Sequence, residues 1–186
     1  MNNMAEEYMN NKGKVIWITG LSATGKTTLA QTLLPMLTSP AIWYDGHHVR
    51  DIIAPVGGGG FDRQSRLRDA RACSLIYKHA ADQGLTVVCS TITMFHEIQQ
   101  WNRAHLPGYF EVFLDFPEAV RRSRDNKALY APPAGQSPGP IWGRDIVPEE
   151  PVSPQVHITD PSLTPEMIAE IIIEKLGGID AKAGCS

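Results

Sequence analysis

A chain of 186 residues is long enough to bury one full hydrophobic core and too short for two sizeable domains with a linker. Its 17 Lys and Arg against 20 Asp and Glu leave a net charge of -3, which excludes the broad basic field that gathers nucleic acid and favours a small-molecule substrate. Cys73, Cys89 and Cys185 are widely spaced with no CxxC pair, so neither a disulfide framework nor a zinc site is expected, in keeping with a reducing cytoplasm. No apolar run approaches the length of a membrane span, and residues 1–12 are polar and acidic, reading as a flexible N-terminus rather than a leader.

In chain order, Val15-Ile16-Trp17-Ile18, Ala41-Ile42-Trp43-Tyr44, Leu85-Thr86-Val87-Val88 and Phe110-Glu111-Val112-Phe113-Leu114 are short apolar runs rich in β-branched and aromatic types, which predicts strands. Between them, residues 28–37, 64–83, 95–105 and 117–124 carry helical periodicity. Strands buried on both faces and alternating with helices predict a three-layer α/β fold, a parallel sheet flanked by helices. From 126 to 154 the pattern gives way to Pro and Gly with few apolar anchors, which predicts a mobile lid. Gln155-Val156-His157-Ile158-Thr159 reads as a last strand, Pro165 suits the first turn of a final helix over 164–176, and 177–186 read as a flexible tail. One domain over 13–176 is the expectation.

The stretch Gly20-Leu21-Ser22-Ala23-Thr24-Gly25-Lys26-Thr27 stands between the first strand and the first helix, where a Walker A phosphate loop belongs. Phosphate is held most readily by backbone N–H groups of a loop that opens a helix. Gly20 and Gly25 permit that loop, Lys26 reaches the β- and γ-phosphates, and the Thr27 hydroxyl can ligate Mg²⁺. Residues 20 to 28, ending on Thr28, are therefore the candidate ATP site of a P-loop NTPase or kinase fold. A switch or motor that binds ATP without an acceptor stays open as an alternative, because Asp115 also ends a strand.

Asp45 lies at the carboxyl end of the second strand, the end of an open α/β sheet where ligands collect. There it can orient or deprotonate an acceptor hydroxyl, or hold Mg²⁺ through a water; capping the next helix is the alternative. In the helix over 64–83, Arg66, Asp69 and Arg71 fall in the first turns, where guanidinium forks grip phosphate. A solvated, salt-bridged face explains the same spacing.

Taken in order, GLSATGKTT, YDGHHVR, GGF followed by Arg66, Asp69 and Arg71, FEVFLD, RDNKALY and the Gly-x-Asp at Gly143-Arg144-Asp145 resemble the adenylyl-sulfate kinases (APS kinases) over roughly residues 14–160. The resemblance implies an ATP- and Mg²⁺-dependent kinase acting on the ribose 3′-hydroxyl of adenosine 5′-phosphosulfate (APS), and a homodimer, which the residues themselves leave open. By position it implies catalytic roles for Lys26, Asp45 and Lys127, and adds Arg124 to the ATP site. It implies an acceptor site of Asp45, Arg50, Phe61, Arg66, Asp69, Arg71, Ile92, Thr93, Lys127 and Tyr130, with Phe61 packing on the substrate base and Lys127 neutralising charge as the lid closes.

Four departures from the family pattern lie on the acceptor side. His47-His48 replace Asp-Asn, Asp69 replaces Asn, Thr93-Met94-Phe95-His96 replace Ser-Pro-Tyr-Arg, and Ile141-Trp142-Gly143 replace Phe-Thr-Gly. Thr93-Met94-Phe95 followed by Trp101-Asn102-Arg103 is similar to a subgroup that includes cytidine diphosphoramidate kinase, whose acceptor nucleotide ends in a P–N bond. The expected acceptor is therefore APS or an amidated nucleotide, with Asp69 expected to disfavour a terminal sulfate.

Overall fold

Val15–Gly20, Ala41–Asp45, Thr86–Thr91, Phe110–Leu114 and Val156–Ile158 are strands β1 to β5 of one sheet in the order β2-β3-β1-β4-β5, every pairing parallel. The structure, a computed structural model, describes residues 12–60, 62–125, 130 and 140–177. Among these, the helices are α1 (Lys26–Leu33), α2 (Gly46–Ile53), α3 (Arg63–Asp82), α4 (His96–His105), α5 (Glu118–Ser123) and α6 (Pro165–Lys175). None is long and apolar enough to cross a membrane.

Successive side chains of β1 point to opposite faces, and each face has its own core. Ile16 and Ile18 pack with Leu29 and Leu33 of α1 and Ile168 and Ile172 of α6. Val15 and Trp17 pack with Tyr77 of α3, Ile98 of α4 and Phe113. This is the expected three-layer architecture. Because β1 lies between β3 and β4, the connections leave its two sides in opposite senses and open a crevice at its carboxyl end.

Local chemistry sets the helix ends. The Asp62 carboxylate accepts from the Ser65 N–H at 2.9 Å to start α3, and the Thr164 hydroxyl accepts from the Met167 N–H at 3.3 Å to start α6, with Pro165 in its first turn. The helix expected over 28–37 begins two residues earlier and yields to a 3₁₀ turn, Leu34–Met36, where Pro35 removes a backbone donor. Helix α2 and the 3₁₀ turn Ala54–Val56 were not expected. Gly46, two histidines and β-branched Val49 are weak helix formers, and the element is held by burying Val49.

The expected lid falls partly outside the described residues, at 126–129 and 131–139, as do the terminal segments expected to be flexible, save Lys12 and Gly177. The described stretch 140–154 corrects one expectation, for it does carry apolar anchors. Ile141 and Trp142 are buried, Trp142 meets Phe95 edge-on at 4.9 Å, and Trp142 bridges to Ile146.

Candidate active site

The loop from Gly20 to Gly25 turns on three residues with positive φ: Gly20 at 150°, Ala23 at 64° and Gly25 at 91°. A Cβ at Gly20 would meet Leu114 O at 2.4 Å, so β4 passes too close for any other residue. Ala23 is the positive-φ non-glycine among the described residues, a cost that a functional loop sustains. Helix α1 starts at Gly25 with no side-chain cap, leaving its first N–H groups directed at the loop. Lys26 Nζ donates to Leu21 O at 2.6 Å and the Thr24 hydroxyl donates to the same oxygen at 3.0 Å. The lysine is thereby folded back over the loop it is expected to serve.

Asp45 is 7% exposed and accepts through Oδ2 from the Thr27 hydroxyl at 2.7 Å and the Ser90 hydroxyl at 2.8 Å. It thus joins the second residue of α1 to the ends of β2 and β3. Ser90 was not singled out in the sequence, although a polar residue closing the apolar run Val87-Val88-Cys89 was the signal available.

A cavity of about 710 Å³ runs from this loop in two directions. Towards α6 it is walled by Phe116, Leu163 and Ile168, with Arg124 reaching Pro161 O at 2.7 Å and laying its guanidinium 5.2 Å from the Phe116 ring centre. Phe116 and the α6 wall were missed because their place follows from packing, with no motif to mark it. Towards α3 the cavity is lined by Arg50, Arg66, Asp69, Ile92 and Thr93. Arg66 donates to Pro140 O at 2.8 Å and lies 5.8 Å from the Trp142 ring centre. Burial, and after it the neighbouring Arg50 guanidinium, hold the Arg66 pKa below its ordinary value.

Asp69 Oδ2 accepts from the Gly59 N–H at 2.7 Å, and Arg68 Nε lies 3.7 Å from Oδ1. The carboxylate therefore fixes the glycine-rich loop that follows α2 while facing the cavity. Its charge is felt next door: burial first, and Asp69 after it, push the Cys73 thiol up to about 12, so this cavity-lining cysteine stays protonated.

Two expected acceptor residues lie elsewhere. Arg71 is turned to α4, where it is 3.5 Å from Glu97 and 5.2 Å from the Trp101 ring centre. Tyr130 sits on the phosphate loop, its hydroxyl donating to Ser22 O at 3.4 Å while accepting from Arg121 Nη1. Phe61 and Lys127 lie outside the described residues.

The turn at 141–146 ties both ends of the site together. Gly143 has φ 82°, and a Cβ there would come within 2.9 Å of Leu21 Cδ1, so the turn rests directly on the phosphate loop. The phosphate-loop cage and a pair of arginines open into one cavity. That is the arrangement of a P-loop kinase.

The comparisons narrow the class. Residues 12–159 match the family model described as adenylylsulphate kinase, and the chain belongs to that family. Cytidine diphosphoramidate kinase of Campylobacter jejuni is 33% identical over 171 residues, spanning 90% of this chain and 99% of its own length. A probable adenylyl-sulfate kinase of Pyrococcus abyssi is 32% identical over 167 residues, spanning 88% of this chain and 95% of its own. The solved structure of the Mycobacterium tuberculosis APS kinase CysC in complex with AMPPNP and APS superposes with a TM-score of 0.78 at 28% identity, over 89% of this chain and 98% of that one. The protein is an ATP-dependent kinase of the APS kinase type.

Proposed function

We propose that the enzyme transfers the γ-phosphoryl group of ATP to the ribose 3′-hydroxyl of an anionic nucleotide, and that the nucleotide is of the amidated diphosphate kind rather than APS. The observation that carries the reading is the convergence of Arg50 and Arg66 on one end of the cavity with the Asp69 carboxylate among them. Paired guanidiniums suit a phosphate-bearing acceptor. A carboxylate beside them suits a terminal group that donates N–H bonds, as a phosphoramidate does and a sulfate does not. The similarity to cytidine diphosphoramidate kinase points the same way.

Thr27 and Asp45 fit Mg²⁺, being hard oxygen ligands at the mouth of the phosphate loop, and Mg²⁺ is commonly held by few protein groups beside substrate phosphates. When bound there, the ion supplies charge neutralisation to the phosphate oxygens. The chain's own residues do the rest. The loop N–H groups and Lys26, swung from Leu21 O, hold the β- and γ-phosphates, and the Phe116 and Arg124 end takes the adenine. Asp45 aligns the 3′-hydroxyl and receives its proton as the bond from phosphorus to that oxygen forms and the bond to ADP breaks. Lys127 shields the charge of the transferring group. Positioning and electrostatics carry such a reaction.

The test is acceptor-dependent ADP release, with kcat/KM measured for cytidine diphosphoramidate and for APS. The amidated nucleotide is the better substrate on this reading. A wide preference for APS overturns the choice of acceptor, and ADP release indifferent to any nucleotide acceptor overturns the kinase reading in favour of a switch.

A further inference from the structure

Trp43 and Asp45 are two residues apart on β2 and share a face of the sheet, and the register sets Ser90 of β3 beside Asp45. Trp43 Nε1 donates to Ser90 Oγ at 3.1 Å, and Ser90 Oγ donates to Asp45 Oδ2 at 2.8 Å. Chemistry fixes that direction. An indole N–H can only donate, so the serine oxygen accepts from it and turns its single proton to the carboxylate. The same Oδ2 accepts from the Thr27 hydroxyl at 2.7 Å, and a carboxylate oxygen has about two lone-pair sites. Thr27, its proton committed to Asp45, keeps its lone pairs for a ligand in the cavity.

The indole is held in turn. Trp43 is packed against the α1 side of the core, and the His48 ring meets it edge-on at 5.3 Å with an interplanar angle of 74°. This places His48, one of the two adjacent histidines, against the indole. Ser90 is buried, and its hydroxyl is engaged by both Trp43 and Asp45.

From this chain of donors we infer that Trp43 and Ser90 are positioning residues for the metal end of the ATP site. They fix the Asp45 carboxylate and, through it, the Thr27 hydroxyl. The inference rests on the reading of Thr27 and Asp45 as the Mg²⁺ ligands, and its test needs no acceptor.

ADP is titrated calorimetrically, with and without Mg²⁺, into wild type, Trp43→Phe, Ser90→Ala, Ser90→Thr and the double variant Trp43→Phe/Ser90→Ala. Phe keeps most of the half-buried ring, and the thermal midpoint of each variant reports its fold. With Mg²⁺, Trp43→Phe weakens binding about 3- to 10-fold and Ser90→Ala about 10-fold or more, while metal-free binding stays within about 2-fold. Ser90→Thr keeps the hydroxyl and binds as wild type. The double variant is no weaker than Ser90→Ala, because the indole acts only through that hydroxyl. Losses of equal size with and without Mg²⁺, or a double variant as weak as the product of the single losses, overturn the network alone. If Mg²⁺ does not tighten ADP binding in wild type, the assignment of Thr27 and Asp45 falls, and this inference with it.

Discussion

Arg63 and Glu149 stand 86 positions apart and meet at 2.7 Å, joining the first turn of α3 to the chain that returns from the Trp142 turn. The Glu149 carboxylate also accepts from the His96 N–H at 2.7 Å. Its backbone N–H donates to Met94 O at 2.9 Å, and its carbonyl accepts from Gln99 Nε2 at 2.8 Å. One residue thus pins the 140–150 segment to α3 and α4.

Acid should release that pin. Burial works to raise the Glu149 pKa, but the hydrogen bonds from Arg63 and the His96 N–H outweigh it, and the pKa lies below the ordinary 4.5. A carboxyl lowered on folding contributes stability that is full above its unfolded pKa and is lost as pH falls through the folded one. The ion pair is half in solvent and worth at most about 1 kcal/mol, so the N–H bonds to the charge carry the larger part. Glu149→Gln is expected to cost about 1–2 kcal/mol at neutral pH. The difference in thermal midpoint between mutant and wild type should stay constant above about pH 4.5 and shrink below it. A difference that persists unchanged to pH 2 would assign the loss to shape rather than charge.

Arg66→Ala and Arg71→Ala should separate cleanly. Arg66 lines the cavity beside Arg50, whereas Arg71 faces Glu97 and Trp101. Loss of Arg66 is expected to raise the acceptor KM by about 10-fold or more while leaving the KM for ATP alone. Loss of Arg71 should leave both within about 2-fold, because its side chain is directed to the exposed Glu97 and to Trp101 rather than to the cavity. Equal effects on the acceptor KM would return Arg71 to the site.

The same pair marks the limit of what spacing tells. Five residues along a helix turn through about 140° beyond a full circle, so 66 and 71 cannot share a face, whereas 66 and 69, three apart, can. That arithmetic was available in the sequence and separates Arg71 from the face that Arg66 and Asp69 share. The phosphate loop and the five strands were legible because glycine spacing, the lysine and the β-branched runs act locally. The seat of Trp142 on Phe95, the capture of Glu149 by Arg63 and the Ser90 bond to Asp45 join positions far apart in the chain, and no local pattern encodes them. Helix α2 escaped for the opposite reason. Its residues oppose the helix, and only the burial of Val49 and the packing of its neighbours overrule them.

Lys26→Ala is expected to lower turnover by about 10²- to 10³-fold, the usual cost of one preorganised charge at the transition state. Its Nζ bonds a loop carbonyl and its side chain lines the cavity, so the thermal midpoint should hardly move. Turnover and midpoint are measured together, and near-normal turnover would remove the loop from catalysis.

Asp45→Asn should lower kcat far more than it weakens ATP binding measured without Mg²⁺. An amide oxygen can still accept from Thr27 and Ser90, but the group can neither take a proton nor offer full charge. Direct titration of ATP beside steady-state kinetics checks the split. A collapse of ATP affinity with kcat preserved would make Asp45 chiefly a metal or structural residue rather than the base.

Asp69→Asn should move the acceptor preference towards APS. Two like charges about 4 Å apart repel by roughly 4 kcal/mol at an effective dielectric near 20, so a sulfate brought to this end of the cavity meets a penalty. A terminal P–NH₂ meets an acceptor for its N–H groups instead, and specificity then comes partly from rejecting the wrong anion. The counter-argument is that a neighbouring cation cancels the carboxylate. Arg68 lies 3.7 Å from it with 62% of its side chain in solvent, where screening weakens the pair, and Arg50 and Arg66 line the same cavity, where they also serve the acceptor's phosphates. The Gly59 N–H bond occupies Oδ2 without removing the charge, and the raised Cys73 pKa is partly the imprint of that charge on the cavity wall. Asn can keep the bond to Gly59 through its own oxygen, so the loop should stay in place while the charge goes. With kcat/KM measured for both acceptors, the ratio of amidated nucleotide to APS is expected to fall by about 10-fold or more in Asp69→Asn, chiefly through a gain with APS. An unchanged ratio would confine Asp69 to holding the glycine loop and place the choice of acceptor elsewhere in the cavity.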